Sequence, residues 1–148
     1  MSKLFQALLS GIFFTFILDF FFFLALKLNY IDPHGIDLYY NILFADNQNL
    51  IVFTILSIIW GYVIIYLGHK VALVFSILLF SSVTLLFIPS FGKEVGAQLF
   101  EKKNTTLHTK RFTYKGDIYY NGRKNITFYD YELKKVIILP KNKITQGV

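Results

Sequence analysis

The chain has 148 residues, of which 55% are hydrophobic and 16% charged, and its formal net charge is +6. A mean hydropathy of +0.51 is high for a water-soluble domain. Cysteine does not occur, which excludes disulfides, thiolate metal sites and cysteine nucleophiles.

An apolar run over residues 4–26 opens the chain, and one carboxylate, Asp19, interrupts it. About 20 apolar residues are enough for a helix to cross a bilayer core of roughly 30 Å. A soluble helix that is apolar on every face would need a larger core than this chain can build. We therefore predict a membrane-spanning helix, and the length of the run predicts that it is not a cleaved signal peptide.

A loop is predicted over residues 28–49, with a turn at residues 32–35. Within it, residues 36–45 are amphipathic enough to lie along a membrane surface as a helix. An ordinary loop with a single helical turn fits the same residues.

Two further apolar runs predict spans over about residues 50–67 and 71–91. Three residues separate them, so they should form a tight antiparallel hairpin. Pro89 is expected close to the end of the third span, where a missing N–H is least harmful. Trp60 is expected to pack against a neighbouring helix.

The composition changes after Gly92. Residues 92–106 predict an interfacial linker with a short helix, and residues 107–148 predict a small basic antiparallel β module. Twelve of the 15 Lys and Arg residues lie in residues 92–148, so the positive charge belongs to this tail.

A strand register follows from the pairing of apolar residues across a five-residue loop at 121–125. It predicts one apolar face formed by Ile118, Tyr120, Ile126, Phe128, Val136 and Ile138. The opposite face is also too apolar to be left in water. We therefore expect the sheet to rest on the membrane surface, on another protein or on a second copy of the chain.

Lysine and arginine near the spans favour a cytoplasmic tail. Six of these residues, including Lys27, lie on the side of the tail, and only two lie on the side of the N-terminus. Lys3 beside the N-terminal amine favours the opposite orientation.

Asp19 is the first candidate functional residue, because a carboxylate within a spanning helix normally faces a cavity, a partner or the bundle interior. Ser57-x-x-x-Gly61 is a small-residue pattern that allows close helix contact. Hydroxyl residues at a depth similar to that of Asp19 predict a polar packing layer around it. The layer and the small-residue pair together consist of Asp19, Thr54, Ser57, Gly61, Ser82 and Thr84. The structural interpretation is a packing role, and the alternative is ion or proton handling.

His34 lies near Asp32 and Asp37 in the first predicted loop, and His69 lies in the hairpin turn, but their spacing matches no zinc pattern. We predict no metal, no cofactor and no catalytic residue. The basic tail suits lipid headgroups or a protein partner, with nucleic acid ranked last. The predicted contact residues are Lys102, Lys103, Lys110, Arg111, Tyr119, Arg123, Lys124 and Tyr129.

The sequence therefore predicts three transmembrane helices, the last two a tight hairpin, followed by a small antiparallel β module. The expected role is non-enzymatic: an accessory or assembly subunit of a complex in a bacterial inner membrane, in contact with lipids and with other subunits or itself. The alternative is a homo-oligomeric channel or transport component that uses Asp19.

Overall fold

A computed structural model of the chain describes residues 2–110 and 112–146. Within these residues five α-helices are followed by five strands. The helices are α1 Lys3–Leu26, α2 Tyr40–Asn47, α3 Leu50–Tyr66, α4 His69–Leu85 and α5 Pro89–Phe100. The strands are β1 Lys102–Thr109, β2 Thr113–Asn121, β3 Asn125–Asp130, β4 Lys135–Pro140 and β5 Ile144–Gln146.

Helix α1 ends at Leu26, within one residue of the predicted end near Lys27, but helical backbone of another type continues beyond it. A π-helical turn over Lys27–Ile31 and a 3₁₀ turn over Asp32–His34 extend it. The helix stops at Gly35, whose φ of 65° is a left-handed conformation that glycine adopts without strain. The predicted turn at residues 32–35 is therefore the end of this extension.

By length and composition, one helix among the described residues, Lys3–His34, can cross a membrane. Up to three spans result if each of two bent helix pairs is counted as one. In these pairs α2 is bent 86° from α3, and α4 is bent 89° from α5. Helices α2 and α5 therefore run nearly perpendicular to the helices that they adjoin.

The predicted third span over residues 71–91 is too long at its C-terminal end, because α4 ends at Leu85 and Pro89 begins α5. Proline is suited to the first turn of a helix, and it disfavours helical backbone in the residue before it. Ile88 is accordingly extended. The side chain of Asn29 donates to the carbonyl of Leu86 at 2.8 Å, which joins the end of α4 to the α1 extension.

Helices α1 and α3 pack antiparallel with their backbones in contact. A Cβ added at Gly11 would overlap the backbone of Ser57, and one added at Gly61 would overlap that of Ala7. Leu67 and Gly68 connect α3 to α4. Trp60 is buried and donates to Ser76 of α4 at 3.0 Å, which confirms that it packs against a neighbouring helix.

The five strands form an antiparallel half-barrel with the order β4-β3-β2-β1-β5. The sheet begins at Lys102, five residues earlier than predicted, directly after α5. Its buried core contains Leu107, Ile118, Ile126, Phe128 and Leu139.

The predicted register holds for one part of the sheet and is wrong for another. Ile118 faces Phe128 as predicted, but a bulge at Tyr119 places Tyr120 opposite Thr127 rather than Ile126. In β4 the register differs from the prediction by one residue, which exchanges the two faces of the strand. Ile137 and Leu139 therefore face the core, whereas Val136 and Ile138 are 43% and 57% exposed.

The one-residue difference in β4 originates in the β3–β4 turn. This turn has four residues, 131–134, rather than the three that were predicted. The carboxylate of Asp130 accepts from the backbone N–H groups of Glu132 and Leu133, at 2.8 and 2.9 Å. Lys134 completes the turn with a φ of 50°.

The sheet rests on helices of its own chain, a support that the sequence analysis did not predict. The hydroxyl of Tyr30 donates to the carbonyl of Tyr119 at 2.9 Å. Asn47 donates to the hydroxyl of Tyr120 at 3.1 Å, and the ring of Tyr120 lies 5.5 Å from that of Phe100. These contacts join the end of β2 to α2, α5 and the α1 extension.

Candidate functional site

A cleft of about 500 Å³ lies where the five helices meet, and it contains Asp19. Its polar lining consists of Asp19 and three consecutive amide side chains where α2 meets α3: Asn47 at the end of α2, then Gln48 and Asn49. The remaining lining is apolar and comes from α1, α3, α4 and α5: Leu18, Phe22, Phe23, Val52, Phe53, Leu56, Val83, Leu99 and Phe100.

The antiparallel packing of α1 on α3 determines the position of Asp19. Because Gly11 lies beside Ser57, residues one and two turns later in α1 approach the N-terminus of α3. Asp19 consequently faces the turn before α3, and its Oδ2 accepts from the side chain of Gln48 at 2.9 Å. Within residues 2–110 and 112–146, its carboxylate has no cationic partner.

The other two amides of the turn have structural partners. Asn49 caps α3, since its Oδ1 accepts from the backbone N–H groups of Ile51 and Val52. Asn47 donates both to the carbonyl of Leu43 and to Tyr120. The turn that contacts Asp19 is therefore held both by α3 and by the sheet.

The predicted hydroxyl layer is not assembled around Asp19. Thr54, Ser82 and Thr84 are exposed, and each donates to a carbonyl of its own helix, at 2.7, 2.7 and 2.8 Å. Hydroxyl side chains on a helix commonly satisfy themselves in this way. Depth along the helices was readable from the sequence, but the direction of each side chain was not.

Ser57 and Gly61, by contrast, are buried and lie against α1. Their counterpart is a row of small residues at four-residue spacing on α1: Ala7, Gly11 and Thr15. Sequence reasoning missed this row as a partner for Ser57 and Gly61, although its i, i+4 spacing was a signal that could have been read. It also missed Gln48, whose place in a loop gave no indication of contact with Asp19.

The predicted tail contacts have different environments. Tyr119 belongs to the sheet support, and the guanidinium of Arg123 forms a two-nitrogen ion pair with Asp46 of α2. Tyr129 stacks on Tyr119 with ring centres 6.0 Å apart. Arg111 lies outside the described residues. The remaining lysines are exposed: Lys102, Lys103, Lys110 and Lys124.

Burial at the sheet support changes the acidity of its phenols. Burial raises the pKa of Tyr120 above its ordinary value of 10.0, and the hydrogen bond from Asn47 opposes the rise. Burial also raises the pKa of Tyr119, and the nearby Glu101 adds to the effect. Both phenols therefore stay protonated to a higher pH than an exposed tyrosine does.

Residues 2–110 and 112–146 contain no group of three His, Cys, Asp or Glu side chains placed to hold a metal ion. Comparison with protein-family models, with curated proteins and with solved structures finds no match for this chain. The function must therefore be inferred from the geometry of the helices, the cleft and the sheet support.

Proposed function

We propose that the chain is a small integral membrane accessory subunit, anchored by α1, α3 and α4. The support is a belt of exposed large apolar side chains on these three helices, and soluble monomers rarely leave so many uncovered together. Leu4 of α1, Ile51 of α3 and Leu78 of α4 are 75%, 72% and 65% exposed. Lipid tails would cover this belt.

The perpendicular helices mark where the belt ends. On α1, exposed apolar residues continue to Phe21. Beyond it Leu28 is still 51% exposed, but Leu26 and Ile31 are completely buried against α2, α5 and the sheet. Helices at nearly right angles to a span suit the plane of a membrane interface. In this arrangement Asp19 lies near the boundary between apolar and polar surroundings, where a carboxylate costs less than at the bilayer centre.

The contacts that hold the sheet on the helices are the observation that best supports an assembly role. A module on a flexible linker could take any orientation, whereas this sheet is held by Tyr30, Asn47 and the Arg123–Asp46 pair. Because the sheet is held in one orientation, its exposed lysines lie at a constant distance from the membrane surface. That geometry suits docking of another subunit of a membrane complex, and anionic headgroups lie within reach of the same side chains.

The transport alternative has less support from the geometry. It requires Asp19 to line a water-filled path with further polar groups. The hydroxyls of Thr54, Ser82 and Thr84 instead donate to carbonyls of their own helices. Asp19→Asn separates the two functions. Assembly should tolerate the neutral, nearly isosteric side chain, whereas proton or cation transport should be lost.

The deciding experiment is purification of the tagged chain from its native membrane in a mild detergent, followed by mass determination and identification of the proteins that copurify with it. Stoichiometric foreign membrane subunits are expected. A pure homo-oligomer or a lone monomer would overturn the accessory role.

A double variant, Lys102→Glu with Lys103→Glu, should release the partner; Lys134→Glu with Lys135→Glu makes the same charge change and should not.

A further inference from the structure

We propose that the cleft around Asp19 binds an aminophospholipid, with the ammonium of the headgroup on the carboxylate and one acyl chain along the apolar wall. This inference rests on the proposed membrane anchoring. It adds a specific ligand and a binding site to that role.

Charge complementarity is the first argument. Asp19 borders the apolar belt, and among the described residues its carboxylate accepts a hydrogen bond from the neutral amide of Gln48 and forms no ion pair. An unpaired carboxylate at such a place is unfavourable, and an ammonium group neutralises it through a charge-assisted hydrogen bond. A primary amine supplies both the charge and the donors.

The polar rim suits the remainder of a headgroup. Asn49 uses its side-chain oxygen to cap α3, so its amide nitrogen can donate to an ester or phosphate oxygen. Gln48 uses one of its two amide hydrogens on Asp19 and keeps the second. Donors and an acceptor therefore lie side by side at the same end of the cleft.

The apolar walls suit an acyl chain. The volume of about 500 Å³ lies within the roughly 300–1,000 Å³ that is usual for small-molecule sites. Val52 and Leu99 are 58% and 55% exposed and line the cleft, so it opens toward the surface that lipid would cover. A chain can enter there without passing through water.

A lipid fits this cleft better than a helix of a partner subunit does. Helix α5 turns 89° away from α4 and contributes Leu99 and Phe100 to the lining. A straight helix that ran along α3 and α4 would meet α5. A flexible chain, whose headgroup turns toward Asp19, avoids this obstruction.

The test is native mass spectrometry of the full chain in lipid nanodiscs that contain equal amounts of phosphatidylethanolamine, phosphatidylcholine and phosphatidylglycerol. We expect the wild type to retain phosphatidylethanolamine about tenfold over phosphatidylglycerol. Phosphatidylcholine should be intermediate, because its ammonium has the charge but no N–H donor. Asp19→Asn should remove the preference, whereas Asp37→Asn, the same change at an exposed site, should leave it intact.

Val52→Trp is a second variant that fills the mouth of the cleft without changing Asp19, and it should also reduce retained lipid. Unchanged preference in Asp19→Asn, or equal retention of all three lipids by the wild type, overturns the proposal. So does a photoreactive residue at position 52 that captures a foreign polypeptide instead of lipid. Recovery of the chain in the soluble fraction after carbonate washing would instead overturn the membrane anchoring itself.

Discussion

Single atoms decide the contact between α1 and α3. At Gly11 and Gly61 the neighbouring backbone occupies the space that a Cβ would need, and backbone cannot rotate away as a side chain can. Close approach without Cβ atoms is how small residues promote helix packing where water supplies no driving force. The buried hydroxyls of Thr15 and Ser57 lie in helices joined by this contact.

Gly11→Val should therefore separate the two helices. Overpacking usually costs about 1–3 kcal/mol, which corresponds to a fall in the apparent Tm of about 2–12 °C for a chain of this size. The measurement is thermal unfolding in detergent. Leu9→Ala, a change on the exposed face of the same helix, should shift the Tm far less, and equal shifts would contradict the helix contact.

In the sheet, the single side chain of Asp130 stabilises the β3–β4 turn. Its buried carboxylate accepts two backbone N–H groups of the β3–β4 turn, and no neighbouring cation pairs with it among the described residues. Asp130→Ala should destabilise the turn by about 1–3 kcal/mol, seen as faster hydrogen exchange across residues 125–140. Asp130→Asn keeps the accepting oxygen, so it should cause less than half of this effect.

The end of β2 is the part of the sheet that contacts the helices. Tyr120 is 4% exposed and is the sheet residue that enters the helical core formed around Tyr30 and Leu43. The bulge at Tyr119 makes this possible, because it turns two successive tyrosines toward the helices.

Tyr120→Ala should release the sheet from the helices without unfolding either. Removal of a buried aromatic side chain costs about 3–5 kcal/mol, so tryptic cleavage at Lys102 and Lys103 should rise at least tenfold. Tyr120→Phe keeps the ring, and Asn47 keeps its bond to Leu43, so cleavage should change little. Tyr39→Ala removes an exposed ring and serves as the matched control.

The same contact should depend on pH. Burial raises the folded-state pKa of Tyr120 above 10.0, so its contribution is complete below the unfolded value and is lost as the pH rises through the folded one. The apparent Tm of the wild type should fall as the pH rises above about 10, the ordinary pKa of a tyrosine. Tyr120→Phe should show a smaller fall over that range, and an identical fall would exclude a contribution from this phenol.

Element positions were more predictable from the sequence than the contacts between elements. The apolar runs at α1 and α3 end within one residue of their predictions, since long uninterrupted hydrophobic patterns are strong signals. Pro89 was predicted near the end of the third span, but it begins α5. A proline is compatible both with the end of a helix and with the first turn of the next one. The β4 register failed because one additional turn residue, Lys134, exchanges the faces of a strand.

The site was predictable only in part. Asp19 was evident as a lone acid in an apolar run, but its partner Gln48 is 29 residues away in a turn. Contacts across such distances depend on the pairing of α1 with α3, which the small residues indicate and do not determine. The support of the sheet by Tyr30 was unreadable for the same reason.

For the whole molecule, the proposed membrane anchoring predicts an orientation from the apolar belt and the perpendicular helices. The start of α1 lies beside the end of α3, since Ala7 contacts Gly61. The N-terminus and the α3–α4 turn should therefore emerge on one side. The loop before α2 and the sheet should emerge on the other side, and the distribution of lysine and arginine predicts that this side is the cytoplasm.

Because the chain contains no cysteine, single substitutions can report this orientation directly. With three spans, Ser2→Cys and His69→Cys should react with a membrane-impermeant maleimide in intact cells. Asp37→Cys and Lys143→Cys should react only after the cells are permeabilised. If α1 alone crosses the membrane, His69→Cys will behave like Lys143→Cys, since nothing after α1 would return to the outer side. If all four assignments are reversed, the three spans stand and the sheet faces outward.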